Sequence, residues 1–158
     1  MITQTDSNIK KYELAKGVTV GDYGCLVVSI FNIVTEFRRF TGKKEITFAQ
    51  MLNDLKLMNA FDSDGIFNWN PTGKLLGFTH LKYTPKYFNT IRFSNDPKVF
   101  WIAEIPHYSN PKLSHFVNIT AANKGIITYF DVYDGCKKQI HLQDCKSIRE
   151  LVFYWCSK

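Results

Sequence analysis

The chain has 158 residues, 45% of them hydrophobic and 15% aromatic, which is enough apolar material to close one core and excludes a disordered polymer. Twenty Lys and Arg oppose fourteen Asp and Glu, a formal charge of +6. The excess is spread over Lys10-Lys11, Arg38-Arg39, Lys43-Lys44 and Lys137-Lys138 with no RNP, helix-turn-helix or finger pattern, which disfavours a nucleic-acid reader and fits a solvated surface or attraction to an anionic polymer such as cell wall.

One domain is expected over residues 1–158. Its opening, Met1-Ile2-Thr3-Gln4-Thr5-Asp6-Ser7-Asn8, is polar and lacks a signal-peptide pattern, so residues 1–11 are expected to form a flexible arm. Synthesis in a cytoplasm is the corresponding expectation, with release by lysis or attachment to a virion left open. Tyr12 to Val20 holds a glycine and β-branched residues and is expected to run extended into a turn at Gly21.

From about Cys25 to Arg39 the residues Leu26, Val27, Ile30, Phe31, Ile33, Val34 and Phe37 leave almost no polar side, the pattern of a helix buried inside the domain. The run is interrupted by Ser29 and Asn32 and is too short to span a membrane. Thr47 and Gln50 have capping-box spacing and predict the start of a second, amphipathic helix carrying Phe48, Met51, Leu52 and Leu55. Asp62-Ser63-Asp64-Gly65 opens like a calcium loop but lacks the glutamate required at the twelfth position, so an ordinary loop is expected. A short helix through Lys74-Leu75-Leu76, closed by Gly77, follows.

Beyond Gly77 the chain reads as strands at residues 78–83, 99–105, 115–120 and 125–132, with a last segment at 147–155 that suits helix or strand. Helices first and strands second predict an α+β fold in which a central buried helix packs on an antiparallel β-sheet.

Chemistry concentrates at Gly21-Asp22-Tyr23-Gly24-Cys25. A thiol on the first turn of a helix faces unpaired N–H groups and the positive end of the dipole, which favour thiolate. The competing reading is a small buried hydrophobe. A nucleophile needs a base, and His115 enters a strand from the polar loop 109–114, with Asp131 sixteen positions on at the end of a hairpin partner. On spacing alone His115 fits a catalytic base and a core or surface histidine equally well. His80 and His141 have no acidic hairpin neighbour, and His107, which follows a proline, is expected to be an exposed loop residue. Cys25, Cys136, Cys145 and Cys156 contain no C-x-x-C pair, so free thiols are expected, zinc is disfavoured, and one disulfide among the last three stays open. No cofactor is implied.

The segment from Leu14 to Ser29 resembles the nucleophile region of papain-like cysteine peptidases of the double-glycine-leader-peptidase-like branch, whose bacterial and phage members often carry an IGDYGC turn before an apolar helix. His115-Phe116-Val117 is similar to that branch's HWV strand, and Asp131-Val132-Tyr133-Asp134-Gly135 to its DPWDG segment. The resemblance covers about residues 12–136 and implies a papain-like fold with Cys25 as nucleophile, His115 as general base and acid, and Asp131 as the group that orients the imidazole. It implies hydrolysis of a peptide or amide bond in a peptide or peptidoglycan-like substrate. Two positions depart from the pattern: Thr19 stands where a glutamine is usual, and Val132 where a proline is common. The second oxyanion donor is therefore unassigned, and a catalytically impaired scaffold that serves as a binding or virion module is the alternative reading.

Overall fold

A computed structural model describes residues 1–62 and 67–154. The architecture is α+β, with a six-stranded antiparallel sheet and one long helix laid across it. The first elements are a hairpin of β1 (Glu13–Ala15) and β2 (Val18–Thr19), turning through Gly17 at φ 75°, and a one-turn helix α1 (Val20–Tyr23). Helix α2 (Cys25–Phe40) comes next, then α3 (Phe48–Leu57) and α4 (Trp69–Leu76). The strands are β3 (Phe78–Tyr83), β4 (Val99–Pro106), β5 (Ser114–Asn123), β6 (Ile126–Phe130), β7 (Lys137–His141) and β8 (Ser147–Phe153), in the order β3-β8-β4-β5-β6-β7.

Helix α2 is central for the reason its composition gives. Val27, Val28 and Phe31 pack with Phe48, Met51, Leu52 and Leu55 of α3, while Ile30, Ile33, Val34 and Phe37 pack on Phe78, Ile102, Leu151 and Phe153 of the sheet. Both sides of the helix are therefore apolar because both are covered. The period-2 alternation of β4 divides its residues: Ile102 faces α2, and Trp101, Ala103 and Ile105 face a second core with Val117, Ile127 and Ile148. That far face is closed by Phe88 and Ile91, at and just after a 3-10 helix over Pro85–Thr90, an element without a signal in the apolar pattern.

Local chemistry sets the helix ends where expected. Thr47 accepts from the Gln50 N–H and Gln50 Oε1 accepts from the Thr47 N–H, a complete capping box. Pro71 sits in the first turn of α4, where no intrahelical donor is lost, and Gly77 ends that helix at φ 85°. Residues 63–66, which include most of the calcium-loop-like stretch, and 155–158, which include Cys156, lie outside the described residues. The last segment resolves as strand β8, and a strand not foreseen, β7, pairs with β6.

Residues 1–11, expected as a flexible arm, make defined contacts with the body of the domain. Ile2 exchanges hydrogen bonds with the Asn32 side chain (2.8 Å to Oδ1, 3.0 Å from Nδ2), and Asn32 also donates to Asn118 Oδ1 at 3.2 Å. The Gln4 N–H donates to the Val132 carbonyl at 2.7 Å, and the Gly21 N–H to the Lys10 carbonyl at 2.9 Å. Ile2, Ile9 and Tyr12 pack on the α2–α3 core. The segment is polar because main-chain and amide hydrogen bonds hold it.

Gly24 lies between the two helices at the head of α2. A Cβ there would stand 2.4 Å from the Val20 carbonyl oxygen and 2.7 Å from Val20 Cγ1, both deep inside contact distance. Gly24→Ala is therefore expected to cost on the order of 2 kcal/mol by overpacking, read as a lower denaturant midpoint, and to move the turn that presents Cys25. An unchanged midpoint would show that the turn yields freely.

Candidate active site

A cleft of about 510 Å³ opens where the N-terminus of α2 meets the ends of β4 and β5, and both Cys25 and His115 line it. Cys25 is the first residue of α2, with Gly24 as its cap, so its backbone N–H is among the first-turn donors that no helical carbonyl accepts. The thiol is half-buried. His115, on β5, is 7% exposed, and Asp131, one residue beyond β6, is 6% exposed.

The register of the hairpin explains how the carboxylate reaches the ring. Pairing runs Asn118↔Phe130, so continuing the ladder would set Tyr133 opposite His115. The chain leaves the ladder at Asp131, whose N–H donates to the Cys136 carbonyl at 2.9 Å while its carbonyl accepts from Gly135 N–H at 2.8 Å. This tight turn, with Gly135 at φ 75°, brings the aspartate to the histidine two residues early.

Asp131 Oδ1 lies 2.7 Å from His115 Nε2 and accepts from the Tyr133 N–H at 2.9 Å. Its other oxygen, Oδ2, accepts from Lys138 Nζ at 2.7 Å, and Lys138 also reaches Asp134 Oδ2 at 2.6 Å. An ionised carboxylate only accepts, so His115 Nε2 carries the hydrogen and Nδ1 is the nitrogen left for the proton exchanged with sulfur. Burial works against the Asp131 charge, but His115, Lys138 and the Tyr133 N–H outweigh it and hold the carboxyl well below the usual carboxylate range. Burial likewise opposes a charged His115; the hydrogen bond to Asp131, then Cys25 acting as hydrogen-bond partner and as charge, push the ring up to about 9. The two shifts express one interaction and count once. The structure thus brings Cys25, His115 and Asp131 together in the order sulfur, imidazole, carboxylate.

Other residues meet there without advance notice. His107, expected as an exposed loop residue, lies against the cleft with its ring 5.9 Å from that of His115, edge to face, and its Nδ1 bonded to Ser109 Oγ at 2.8 Å. Gln4 reaches the same cleft from the N-terminal segment. Thr19 does not, because its hydroxyl donates to Asp22 Oδ2 at 2.8 Å and its oxygen caps α1. Lys138 is a further contributor, and its place on the unforeseen β7 is why spacing did not offer it.

Arg149 also borders the cleft. It lies over Trp69 at 5.2 Å, with Nη1 3.2 Å from His80 Nε2 and Nη2 3.9 Å from Glu104 Oε2. His80 is stacked on Trp69 at 4.1 Å, and burial, then Arg149 and Lys82, push its pKa down to about 4, so it accepts from Arg149 as the neutral ring. A second cavity, of about 460 Å³ beside Glu36, Phe93 and Trp101, contains no cysteine or histidine.

Among the described residues no three His, Cys, Asp or Glu side chains are grouped to hold a metal ion, and no helix is long and apolar enough to cross a membrane. Cys136 and Cys145 are free thiols, one exposed and one buried, and burial pushes the Cys145 thiol up to about 12. No protein-family model and no curated protein matches the chain, so the chemistry of the site rests on the residues that form it.

Proposed function

We propose that this chain is a papain-like cysteine peptidase or amidase, cutting a peptide or amide bond of the kind found in bacterial cell-wall peptides. The observation that carries the reading is that Cys25 and His115 line one cleft, with the His115 ring fixed by a 2.7 Å bond to Asp131. The buried helix that presents the cysteine to a sheet carrying the histidine supports the papain-like assignment. The net charge of +6 favours an anionic polymer as the setting of the substrate.

The steps follow from the geometry. His115 Nδ1 already holds the proton taken from Cys25 in the resting site, and the thiolate adds to the carbonyl carbon, forming a C–S bond and an oxyanion. As the C–N bond breaks, the same proton passes from Nδ1 to the departing amine, leaving a thioester. Water then gives a proton to Nδ1 and its oxygen to the acyl carbon; the sulfur leaves, and acid and free enzyme are regenerated. Asp131 keeps its negative charge throughout and stabilises the imidazolium. Apolar walls, Leu26, Phe67, Trp69 and Phe116, fit an apolar or aromatic side chain next to the scissile bond.

Iodoacetamide near neutral pH is expected to label Cys25 at least about tenfold faster than the more exposed Cys136, since the imidazole acts on only one of them. Hydrolysis of peptidoglycan-derived peptides is expected to vanish in Cys25→Ala. Equal labelling of the two thiols, or hydrolysis that survives the substitution, would sink the proposal. Selective labelling without hydrolysis of any cell-wall peptide would favour the binding-module reading.

A further inference from the structure

Strand β8 is buried and apolar at Ile148, Leu151 and Phe153, and Arg149 interrupts that run. Arg149 is 9% exposed, and it lines the cleft that holds Cys25 and His115. A buried guanidinium takes several N–H donors and a charge out of water, which is tolerated where acceptors and a counter-charge replace what water supplied. Arg149 is short of both. Its Nε meets Ser147 Oγ at 3.4 Å, a long bond, and Nη1 meets the neutral His80 ring at 3.2 Å. Nη2 makes no hydrogen bond to a described residue, because Glu104 Oε2 lies 3.9 Å away, beyond hydrogen-bond distance.

Glu104 is also engaged elsewhere. Oε1 accepts from Ser114 Oγ at 2.7 Å and Oε2 from Ser147 Oγ at 2.5 Å. Other cations share it: Lys82 stands opposite Arg149 in the β3–β8 ladder, and Lys146 Nζ donates to Ser114 Oγ at 3.3 Å and to the Leu113 carbonyl at 3.0 Å. Leu113 and Ser114 both line the cleft, so positive charge exceeds negative along this part of its wall. Asp22, the acidic side chain among the lining residues, is exposed and takes the Thr19 hydroxyl. The guanidinium is meanwhile held flat over Trp69, which is itself stacked on His80, so the fork is ordered before anything binds.

We propose that Arg149 is a specificity residue that binds a carboxylate of the substrate, so that the cleft selects acidic peptides. The assignment rests on the cysteine-hydrolase reading and adds what the substrate must carry. A carboxylate on Nη2 displaces no hydrogen bond, and it supplies the counter-charge that Glu104 gives only at a distance. Leu26, Phe67 and Phe116 line the same cleft, so an acidic residue and an apolar one are read along one peptide.

The test uses the full chain and the peptide Ala-Ala-Phe-Gly-Ala-Ala between a fluorophore and a quencher, with each alanine replaced in turn by glutamate or by glutamine. At one position glutamate is expected to exceed glutamine at least about tenfold in kcat/KM, with the difference lying in KM. A second series, free or amidated at its C-terminus and followed by chromatography, separates a terminal carboxylate from a side-chain one. Arg149→Met is expected to abolish the preference while the neutral peptides keep their kcat/KM within about threefold. That variant leaves Glu104 without its cation, so Arg149→Met combined with Glu104→Gln removes the pair together and carries the same expectation. Glu104→Gln alone is expected to widen the preference about threefold, since the competing carboxylate is gone. An arginine that only supports the fold would lower neutral and acidic peptides alike and leave their ratio unmoved. Wild-type protein that cleaves the peptides with no preference for a carboxylate, in a side chain or at the terminus, overturns the role of Arg149 alone, and so does a preference that survives in the double variant. Wild-type protein that cleaves no member of either series overturns the underlying reading and this one with it.

Discussion

Asp131→Asn is expected to lower turnover by roughly 10²- to 10⁴-fold while leaving the fold intact. The reason lies in the two sides of the carboxylate. Oδ1 takes the His115 ring and the Tyr133 N–H, and Oδ2 takes Lys138. An asparagine can keep its oxygen toward His115 and Tyr133, but its NH₂ then points at the Lys138 ammonium, donor against donor. It can flip to satisfy Lys138, and then the NH₂ faces Nε2 and forces the ring into the tautomer with hydrogen on Nδ1. That ring cannot accept the cysteine proton. Either arrangement also leaves the imidazolium without its counter-charge. The stability cost is expected to be about 1–3 kcal/mol, because His115 and Asp131 are buried, whereas the Lys138 side chain is 40% exposed and its share is screened. The check is a pair of measurements on one variant, kcat for hydrolysis and the rate of Cys25 alkylation against pH. Wild-type turnover would show that the aspartate is only a structural anchor for Lys138 and the following turn.

The central helix and the candidate triad were legible because each depends on local chemistry. Nine of the sixteen residues of α2 are buried, and a helix so apolar has one place to go. The capping box at Thr47 and the glycine at 77 mark helix ends through hydrogen bonds made within a few residues. Cys25, His115 and Asp131 each sit at a junction between a turn and a regular element, which is where a side chain can be both fixed and exposed to a cleft. The resemblance to known peptidases added roles to residues that spacing had already singled out.

What was not legible depends on the closed fold. β7 reads Lys-Lys-Gln-Ile-His and alternates half-buried with exposed, so its identity as a strand comes from its ladder with β6. The first eleven residues hold few apolar side chains, and their order comes from hydrogen bonds to Asn32, Val132 and Gly21, groups distant in sequence. Gln4 is 21 positions from Cys25, and nothing in its neighbours marks it. The sixteen-residue spacing from His115 to Asp131 pointed to a cross-strand neighbour, yet regular pairing would have offered Tyr133. The turn closed by Gly135 corrects that offset, and a turn of this kind is specified by backbone conformation more than by side-chain pattern.

Stability is expected to peak near pH 6.5 and to fall on both sides, through two histidines shifted in opposite directions. Unfolded, both titrate near 6.5; folded, His115 holds its proton to about 9 and His80 stays neutral down to about 4. Below 6.5 His115 is protonated in both states, so the stabilisation from its pairing is fully present. Between 6.5 and 9 the unfolded chain loses that proton first, and stability declines by up to about 3 kcal/mol before the contribution is gone. His80 works in reverse: above 6.5 it is neutral in both states, and as pH falls toward 4 the unfolded chain gains a proton that burial and Arg149 deny to the folded one. Asp131 stays ionised across this window, its own contribution being lost only in stronger acid, and the buried Cys145 extends the alkaline decline beyond 9. Because His80 is only partly buried, solvent screening makes the acid limb the shallower of the two. Urea midpoints from pH 4.5 to 9.5 read the curve directly. Asp131→Asn should flatten the limb between 6.5 and 9, and His80→Gln should flatten the acid limb while leaving the alkaline one. A wild-type curve level from 6.5 to 9 would mean that the His115 proton is not held by Asp131 and Cys25. The imidazolium on which the proposed proton transfer depends would then lack its support.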